Sequence, residues 1–190
     1  MGIIGKDFDY KIIKNFLTED EVKLLSNYCE IRHRTNTTDF DESKQMSIPD
    51  SKFYGDPAIE SLMLKQLPLM EKETGVELLP TYAFWRCYTK FSSLGNHLDR
   101  RSCEISVTLN INNDGTPWPI YMNGKPVHLD KGEAVIYLGR KLPHWRDEFQ
   151  GDFSIQAFLH YVDKNGKYTD RYLDTRPFWG MPDTTAKSCE

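Results

Sequence analysis

Three segments of the chain alternate with a period of two, so that apolar side chains at every second position are separated by polar or aromatic ones. They read YAFWRCY (82–88), EISVTLNI (104–111) and FSIQAFLHYV (153–162). A period of two indicates β-strands, because successive side chains of a strand point to opposite faces of the sheet. The chain is therefore expected to build a sheet whose two faces differ in polarity.

The polar face of that sheet has two possible surroundings. In most antiparallel sheets the polar face meets solvent. In a barrel it can instead point inward, around a bound polar ligand. The polar faces of 82–88 and 153–162 mix aromatic rings with Arg86, Gln156 and His160, as a small-molecule pocket would. The pattern alone leaves both arrangements open.

The first 75 residues predict two helices. Thr18 and Glu21 form a capping-box pair at the start of the first helix. Asp56 is placed to cap the second helix, with a proline directly after it, and Gly75 is a natural stop. Pro68 is expected to kink or split this second helix, since proline removes a helical hydrogen bond.

The remainder predicts short strands within a single α+β domain covering residues 1–190. A polar stretch at 32–51 lacks periodicity and is expected to be a loop, and with the tail at 168–183 it is a candidate substrate lid. The predicted strands are 77–80, 82–88, 104–111, 119–122, 126–129, 133–138 and 153–162.

Composition argues against several classes of protein. A formal net charge of −4 argues against a nucleic-acid partner, which would favour a basic surface. Apolar runs fall short of the roughly 20 residues that cross a bilayer, and the N-terminus lacks a secretory layout. The four cysteines show no CxxC spacing, so free thiols in a cytoplasmic protein are expected.

A candidate metal site lies in NHLDRRSCE. His97 and Asp99 are two residues apart, so at a strand end both side chains can reach one ion. His144 follows Pro143 after the strand-like run EAVIYLG and is the favoured third ligand. The rivals for that third position are His160, His128 and His33.

Two histidines and one carboxylate on one side of an ion leave coordination positions open. This arrangement is typical of non-heme Fe(II) oxygenases. Zn(II) accepts the same three ligands and would serve hydrolysis instead. The residues themselves do not choose between the two metals.

The ordered series of segments resembles the 2-oxoglutarate- and Fe(II)-dependent dioxygenases, in particular their prolyl-4-hydroxylase-like branch. The similar segments are IIKNFLTEDEVKLL, RCYTKFSSLGNHLD, SVTLNINND and KGEAVIYLGRKLPHWRDEFQGDFSIQAFLHYVD. The resemblance implies a double-stranded β-helix (jelly roll) flanked by N-terminal helices. It also implies that His97, Asp99 and His144 bind Fe(II), and that 2-oxoglutarate and dioxygen are consumed to hydroxylate a substrate C–H bond.

The resemblance extends to the co-substrate site with one departure. Tyr88 matches the tyrosine that touches 2-oxoglutarate. The family places a lysine or arginine nine or ten residues after the distal histidine, whereas this chain has Phe153 and Ser154 there. Arg86 is the first substitute for that cation, because strand alternation points it the same way as Tyr88. The other groups expected to reach the carboxylate are Arg146, Gln156 and Ser154.

Two other functions fit the same residues. One is a cupin-like jelly-roll module that binds a ligand without redox activity, and the other is a zinc-dependent hydrolase. The expected partner is a small molecule or a peptide, for example a prolyl or other amino-acid residue. Neither the substrate nor the oligomeric state is specified by the sequence.

Overall fold

The computed structural model describes residues 8–35, 40–41 and 50–181. Its helices are α1 (Glu19–Thr35) and α2 (Pro57–Thr74), with 3₁₀ helices at Arg101–Cys103 and Thr169–Thr175. The strands are β1 (Tyr10–Ile13), β2 (Phe40–Asp41), β3 (Asp50–Tyr54), β4 (Leu78–Thr89), β5 (Leu94–His97), β6 (Ile105–Asn113), β7 (Ile120–Met122), β8 (Lys125–Val127), β9 (Ala134–Tyr137), β10 (His144–Arg146) and β11 (Phe153–Asp163).

The strands form two antiparallel sheets. The large sheet has the order β1-β9-β6-β11-β4-β3-β2, and the small sheet has the order β5-β10-β7-β8. From β4 onward the chain passes repeatedly between the two sheets, as in a jelly roll. The predicted α+β fold with a jelly-roll core is confirmed.

The large sheet is buried on both faces. Its apolar face joins α1 and α2 in one hydrophobic cluster that includes Trp85, Leu109 and Leu159. Its polar face is equally covered, since Thr108 is 0 % and Gln156 is 3 % exposed. The polar face therefore points inward, which decides between the two arrangements that the sequence left open.

The predicted signals for both helices are confirmed. The Thr18 amide donates to Glu21 Oε2 (2.9 Å), and the Glu21 amide donates to Thr18 Oγ1 (3.3 Å). Asp56 accepts hydrogen bonds from the first amides of α2. Gly75 ends α2 with φ 73°, a left-handed conformation that glycine adopts without a steric penalty.

Of the kink or split predicted for α2 at Pro68, the split does not occur. The helix runs from Pro57 to Thr74 with Pro68 inside it. Pro68 is exposed, and Leu64, whose carbonyl loses its helical donor, is 37 % exposed. Water can reach this side of the helix, so the missing hydrogen bond weakens α2 without ending it.

Replacing Pro68 by alanine is therefore expected to stabilise the protein, by about 1–3 kcal/mol, since it restores the amide donor and relieves the ring. Urea unfolding of the two proteins measures the difference. Pro57→Ala is the matched control, because proline at the first helical position loses no bond. Equal or lower stability of Pro68→Ala would contradict this explanation.

Several other element bounds differ from those predicted. The strands predicted at 77–80 and 82–88 are one continuous strand, β4. The stretch predicted as a loop at 32–51 contains the last turn of α1, the strand β2 and the first two residues of β3, while 36–39 and 42–49 lie outside the described residues. The predicted lid at 32–51 thus falls largely outside the described residues.

Cys29, Cys87 and Cys103 are free and buried, as predicted, and Cys189 lies outside the described residues. Across the described ranges, no helix has the length and apolar character needed to cross a membrane.

Candidate metal centre

Two short paired strands bring the two predicted histidines together. His97 ends β5 and His144 begins β10, and the antiparallel register places them directly opposite each other. Their ring centroids are 4.2 Å apart. Residues 97 and 144, although 47 positions apart in sequence, thus meet at one point at the rim of the small sheet.

Asp99 completes the cluster from the segment after β5. Its Oδ1 atom lies 3.5 Å from His97 Nε2 and 3.5 Å from His144 Nε2. The Asp99 amide donates to the Gly139 carbonyl (2.9 Å), which fixes this segment against the turn after β9. Two atoms that each bond a common ion at about 2.1 Å lie roughly 3.0–3.5 Å apart, so the spacing fits metal ligands.

The opposite nitrogen of each imidazole is held by a backbone carbonyl. His97 Nδ1 is 2.8 Å from the Gly95 carbonyl oxygen, and His144 Nδ1 is 2.9 Å from that of Leu142. A carbonyl oxygen only accepts, so Nδ1 carries the proton in both rings. In a neutral ring of this tautomer, the Nε2 atom, which faces Asp99, carries the lone pair that can bind a metal ion.

The electrostatics of the cluster favour an ionised Asp99. Burial opposes ionisation, but hydrogen bonds to His144 and His97 outweigh it and hold the pKa of Asp99 well below its usual range. Burial also lowers the pKa of His97, yet its bonds to Asp99 and to the Gly95 carbonyl outweigh that and raise it. Asp99 is thus a carboxylate at neutral pH, as a metal ligand must be.

The second oxygen of Asp99 is positioned by residues that sequence reasoning missed. Ser106 Oγ donates to Asp99 Oδ2 (2.8 Å) and lies 3.1 Å from His160 Nδ1. Burial lowers the pKa of His160 to about 4, so its ring is neutral and its Nδ1–H can donate to Ser106. The alternation of polar side chains in β6 and β11 indicated that Ser106 and His160 lie on polar faces of their strands. It did not indicate which groups these side chains contact.

Loss of the Ser106 hydroxyl is expected to weaken metal binding by about 10–100-fold, because groups that orient a ligand have effects of that size. Titration of Ser106→Ala with Fe(II) under anaerobic conditions measures this. Ser61→Ala, in the exposed first turn of α2, is the control. If both variants bind the metal equally well, Ser106 does not position Asp99.

Of the three rival histidines, His160 lies beside the cluster and the other two lie elsewhere. His160 contacts Ser106 and forms a second possible group with Asp99 and Cys103, on the Oδ2 side of the carboxylate. His128 is exposed. His33, predicted in a loop, lies in the last turn of α1 and contacts Ser51.

A cavity of about 130 Å³ adjoins the cluster. Arg86 and Tyr88, both expected at the co-substrate site, form part of its wall together with the half-buried rings of Phe84 and Phe158. Burial raises the pKa of Tyr88, so its phenol stays protonated and can donate to a ligand oxygen. We call this space the metal cavity.

No protein-family model matches the sequence, and no curated protein matches it. Solved structures do match. The chain is similar to a 2OG-Fe(II) oxygenase family oxidoreductase from Burkholderia pseudomallei, with 14 % identity over 85 % of this chain and 88 % of that chain, at a TM-score of 0.62.

Two prolyl hydroxylases are similar as well. The viral collagen prolyl hydroxylase from Paramecium Bursaria Chlorella virus-1, in complex with 2OG, is 12 % identical over 83 % of this chain and 98 % of that chain (TM-score 0.64). A Pseudomonas putida prolyl-4-hydroxylase is 18 % identical over 81 % and 93 % (TM-score 0.59). The fold is that of the 2-oxoglutarate–Fe(II) oxygenases.

Arg146 and Gln156 lie together on the inner side of this oxygenase fold. Arg146 donates from Nη2 to Gln156 Oε1 (3.1 Å) and from Nη1 to the Trp118 carbonyl (2.5 Å). Both side chains line a second cavity of about 420 Å³, with Ser154 and Asn110. Burial lowers the pKa of Arg146 to about 10, which keeps it charged at neutral pH.

The tryptophans near the motifs have different surroundings in the oxygenase fold. Trp85 stacks on Phe53 in the apolar core, and Trp145 stacks on Tyr121. Trp118 alone of the three lines one of the two cavities described above.

The basic pair after the metal motif lies outside the metal cavity. Arg101 is exposed, and Arg100 pairs with Asp174 (2.5 Å) of the tail. Arg100 also stacks over Tyr82, a residue of the cavity wall, at 4.4 Å. The tail thus reaches the edge of the metal cavity, and its role as a lid stays a prediction.

Proposed function

We propose that this protein is a non-heme Fe(II) oxygenase that couples oxidative decarboxylation of 2-oxoglutarate to hydroxylation of a substrate. One observation carries the proposal: the Nε2 atoms of two histidines each lie 3.5 Å from the same carboxylate oxygen, at the wall of a cavity. The cavity lies on one side of these atoms, so an ion held there would keep positions open toward it.

The donor set fits ferrous iron. His97, Asp99 and His144 would hold the ion, and two imidazoles with one carboxylate are the ligand set typical of Fe(II) oxygenases. The backbone bonds to both Nδ1 atoms and the Ser106 bond to Asp99 fix the orientation of all three ligands. When bound, iron and dioxygen supply the oxidising chemistry.

The cavity wall fits an acidic co-substrate. Tyr88 can donate a hydrogen bond, and Arg86 and Arg146 are buried cations without an ion pair to any described residue. A guanidinium binds a carboxylate with two parallel hydrogen bonds. The structures of the viral prolyl hydroxylase and others of this fold support 2-oxoglutarate as that acid.

Binding and turnover can be tested on one preparation. Anaerobic protein loaded with Fe(II) is titrated with 2-oxoglutarate while the visible absorption is recorded. We expect one iron per chain, a charge-transfer band on addition of the keto acid, and succinate once oxygen is admitted. Absence of both band and succinate in iron-loaded protein would refute the proposal.

The same experiment distinguishes the two other functions. A zinc hydrolase would bind Zn(II) without producing the band. A ligand-binding jelly-roll module would produce neither a metal stoichiometry near one nor succinate.

A further inference from the structure

Arg86 is a buried guanidinium whose charge faces the aromatic rings of Phe84 and Tyr88. It is 7 % exposed, its Nε has no hydrogen-bond partner, and it forms no ion pair with any described residue. Its cross-strand neighbours are Lys52 on β3 and Gln156 on β11, neither of which is acidic. A buried charge of this kind is costly unless an anion meets it.

Arg146 is equally buried but is held in place. Its Nη1 and Nη2 atoms donate to the Trp118 carbonyl and to Gln156 Oε1, while its Nε has no partner. His144 and Arg146 both face inward from β10, two residues apart, which is about 6.5 Å along a strand. A five-carbon keto acid bound at the metal by one end can reach across that distance.

The two buried arginines outnumber the carboxylates that the co-substrate brings to them. One carboxylate of 2-oxoglutarate would bind at the metal, so only the far carboxylate is available to a guanidinium. Only one of the two arginines can therefore hold that carboxylate with two parallel hydrogen bonds.

We propose that Arg146 binds the far carboxylate of 2-oxoglutarate, and that Arg86 binds an anionic group of the substrate. This inference rests on the proposed function. Hydrogen bonds to the Trp118 carbonyl and Gln156 fix the orientation of Arg146, which suits a resident co-substrate. Arg86 lies in the metal cavity itself, where a substrate must come.

The surroundings of Arg86 narrow the substrate class further. Its Cζ lies 5.1 Å from the centroid of the Phe84 ring, and Phe84 packs against Phe158 at 5.9 Å. Both rings are half-buried and line the metal cavity. The substrate is thus a small organic acid with an apolar or aromatic body, rather than a neutral peptide segment.

The two arginines are separated by calorimetric titration of 2-oxoglutarate into anaerobic Fe(II)-loaded protein. Arg146→Gln is expected to weaken binding of 2-oxoglutarate by 10-fold or more, which is about the effect of losing one charge-assisted hydrogen-bonded pair between a guanidinium and a carboxylate. Arg86→Gln is expected to weaken it less than about 3-fold, like the exposed control Arg101→Gln. An effect of Arg86→Gln as large as that of Arg146→Gln would overturn the assignment.

The anionic substrate is tested with matched acids and amides. Benzoate, phenylacetate, hexanoate and N-acetylprolinate are each compared with the corresponding amide for binding to protein loaded with Fe(II) and 2-oxoglutarate. We expect at least one acid to bind 10-fold more tightly than its amide, and Arg86→Gln to remove that preference. If no acid in the panel is preferred, or if the preference survives in Arg86→Gln, the inference is wrong.

These outcomes are distinct from a failure of the proposed function. Wild-type protein that binds no 2-oxoglutarate refutes the oxygenase itself. Wild-type protein that binds it, with both arginine variants equally weakened, refutes only the division of roles between Arg86 and Arg146.

Discussion

Asp99→Ala is expected to abolish turnover of 2-oxoglutarate and to weaken Fe(II) binding by more than about 100-fold. The variant removes a proposed ligand itself, and even residues that only orient a ligand change affinity by about 10–100-fold. His144→Ala should behave in the same way, because both Nε2 atoms face the same Asp99 oxygen. Succinate formation and anaerobic iron titration measure the two effects.

The fold of Asp99→Ala should survive, because Asp99 lies outside the hydrophobic clusters that join the sheets and helices. Far-UV circular dichroism and a single cooperative unfolding transition check this. Asp152→Ala, an exposed carboxylate, is the control and should turn over at the wild-type rate. Full turnover by the Asp99→Ala variant would show that Asp99 is not a metal ligand.

Gly139→Ala is the second change with a large expected effect. A Cβ at position 139 would lie 2.1 Å from Asp99 Oδ2, 2.6 Å from Ser106 Oγ and 2.7 Å from the Cys103 carbonyl oxygen. Such contacts are impossible without movement, so the Asp99 carboxylate must be displaced. We expect metal affinity to fall by at least about 10-fold and stability by about 1–3 kcal/mol.

Gly95→Ala is the matched control for Gly139→Ala. Position 95 is equally close to the site, since its carbonyl accepts from His97 Nδ1, but a Cβ there meets no atom within 4 Å. The Gly95→Ala variant should therefore bind Fe(II) like the wild type. Equal affinities for the two alanine variants would show that the space at Gly139 does not constrain the site.

The features that the sequence predicted correctly depend on local or periodic signals. The Thr18–Glu21 capping pair and the Asp56 cap bond to backbone groups within three residues, so their partners are visible in the sequence. Long alternating segments gave β4, β6 and β11, since a period of two persists over seven or more residues. The His97–Asp99 spacing likewise depends only on strand geometry.

The features that were missed depend on tertiary pairing. Strands β5 and β10 have four and three residues, too few for a period to show, yet their register brings His97 opposite His144. The contact of Ser106 with Asp99 also requires the two sheets to face each other. The direction of the polar face also depends on how the two sheets pack, so the alternation of side chains could not show that this face points inward.

The proposed division of roles between Arg86 and Arg146 also rests on contacts that the sequence does not show. Alternation favoured Arg86 over Arg146, because it reports only the side of a strand on which a residue lies. Hydrogen bonds across the interior distinguish them, since Arg146 is held by Gln156 and the Trp118 carbonyl while Arg86 has no such contact. Such contacts between separate sheets leave no local pattern in the sequence.

The position of a bound metal ion tests the account most directly. Crystals grown anaerobically with Fe(II) and 2-oxoglutarate would be measured at the iron absorption edge. We predict one anomalous peak within about 2.3 Å of His97 Nε2, Asp99 Oδ1 and His144 Nε2. A peak coordinated instead by Cys103 and His160, or an Asp99 carboxylate turned away from the ion, would contradict it.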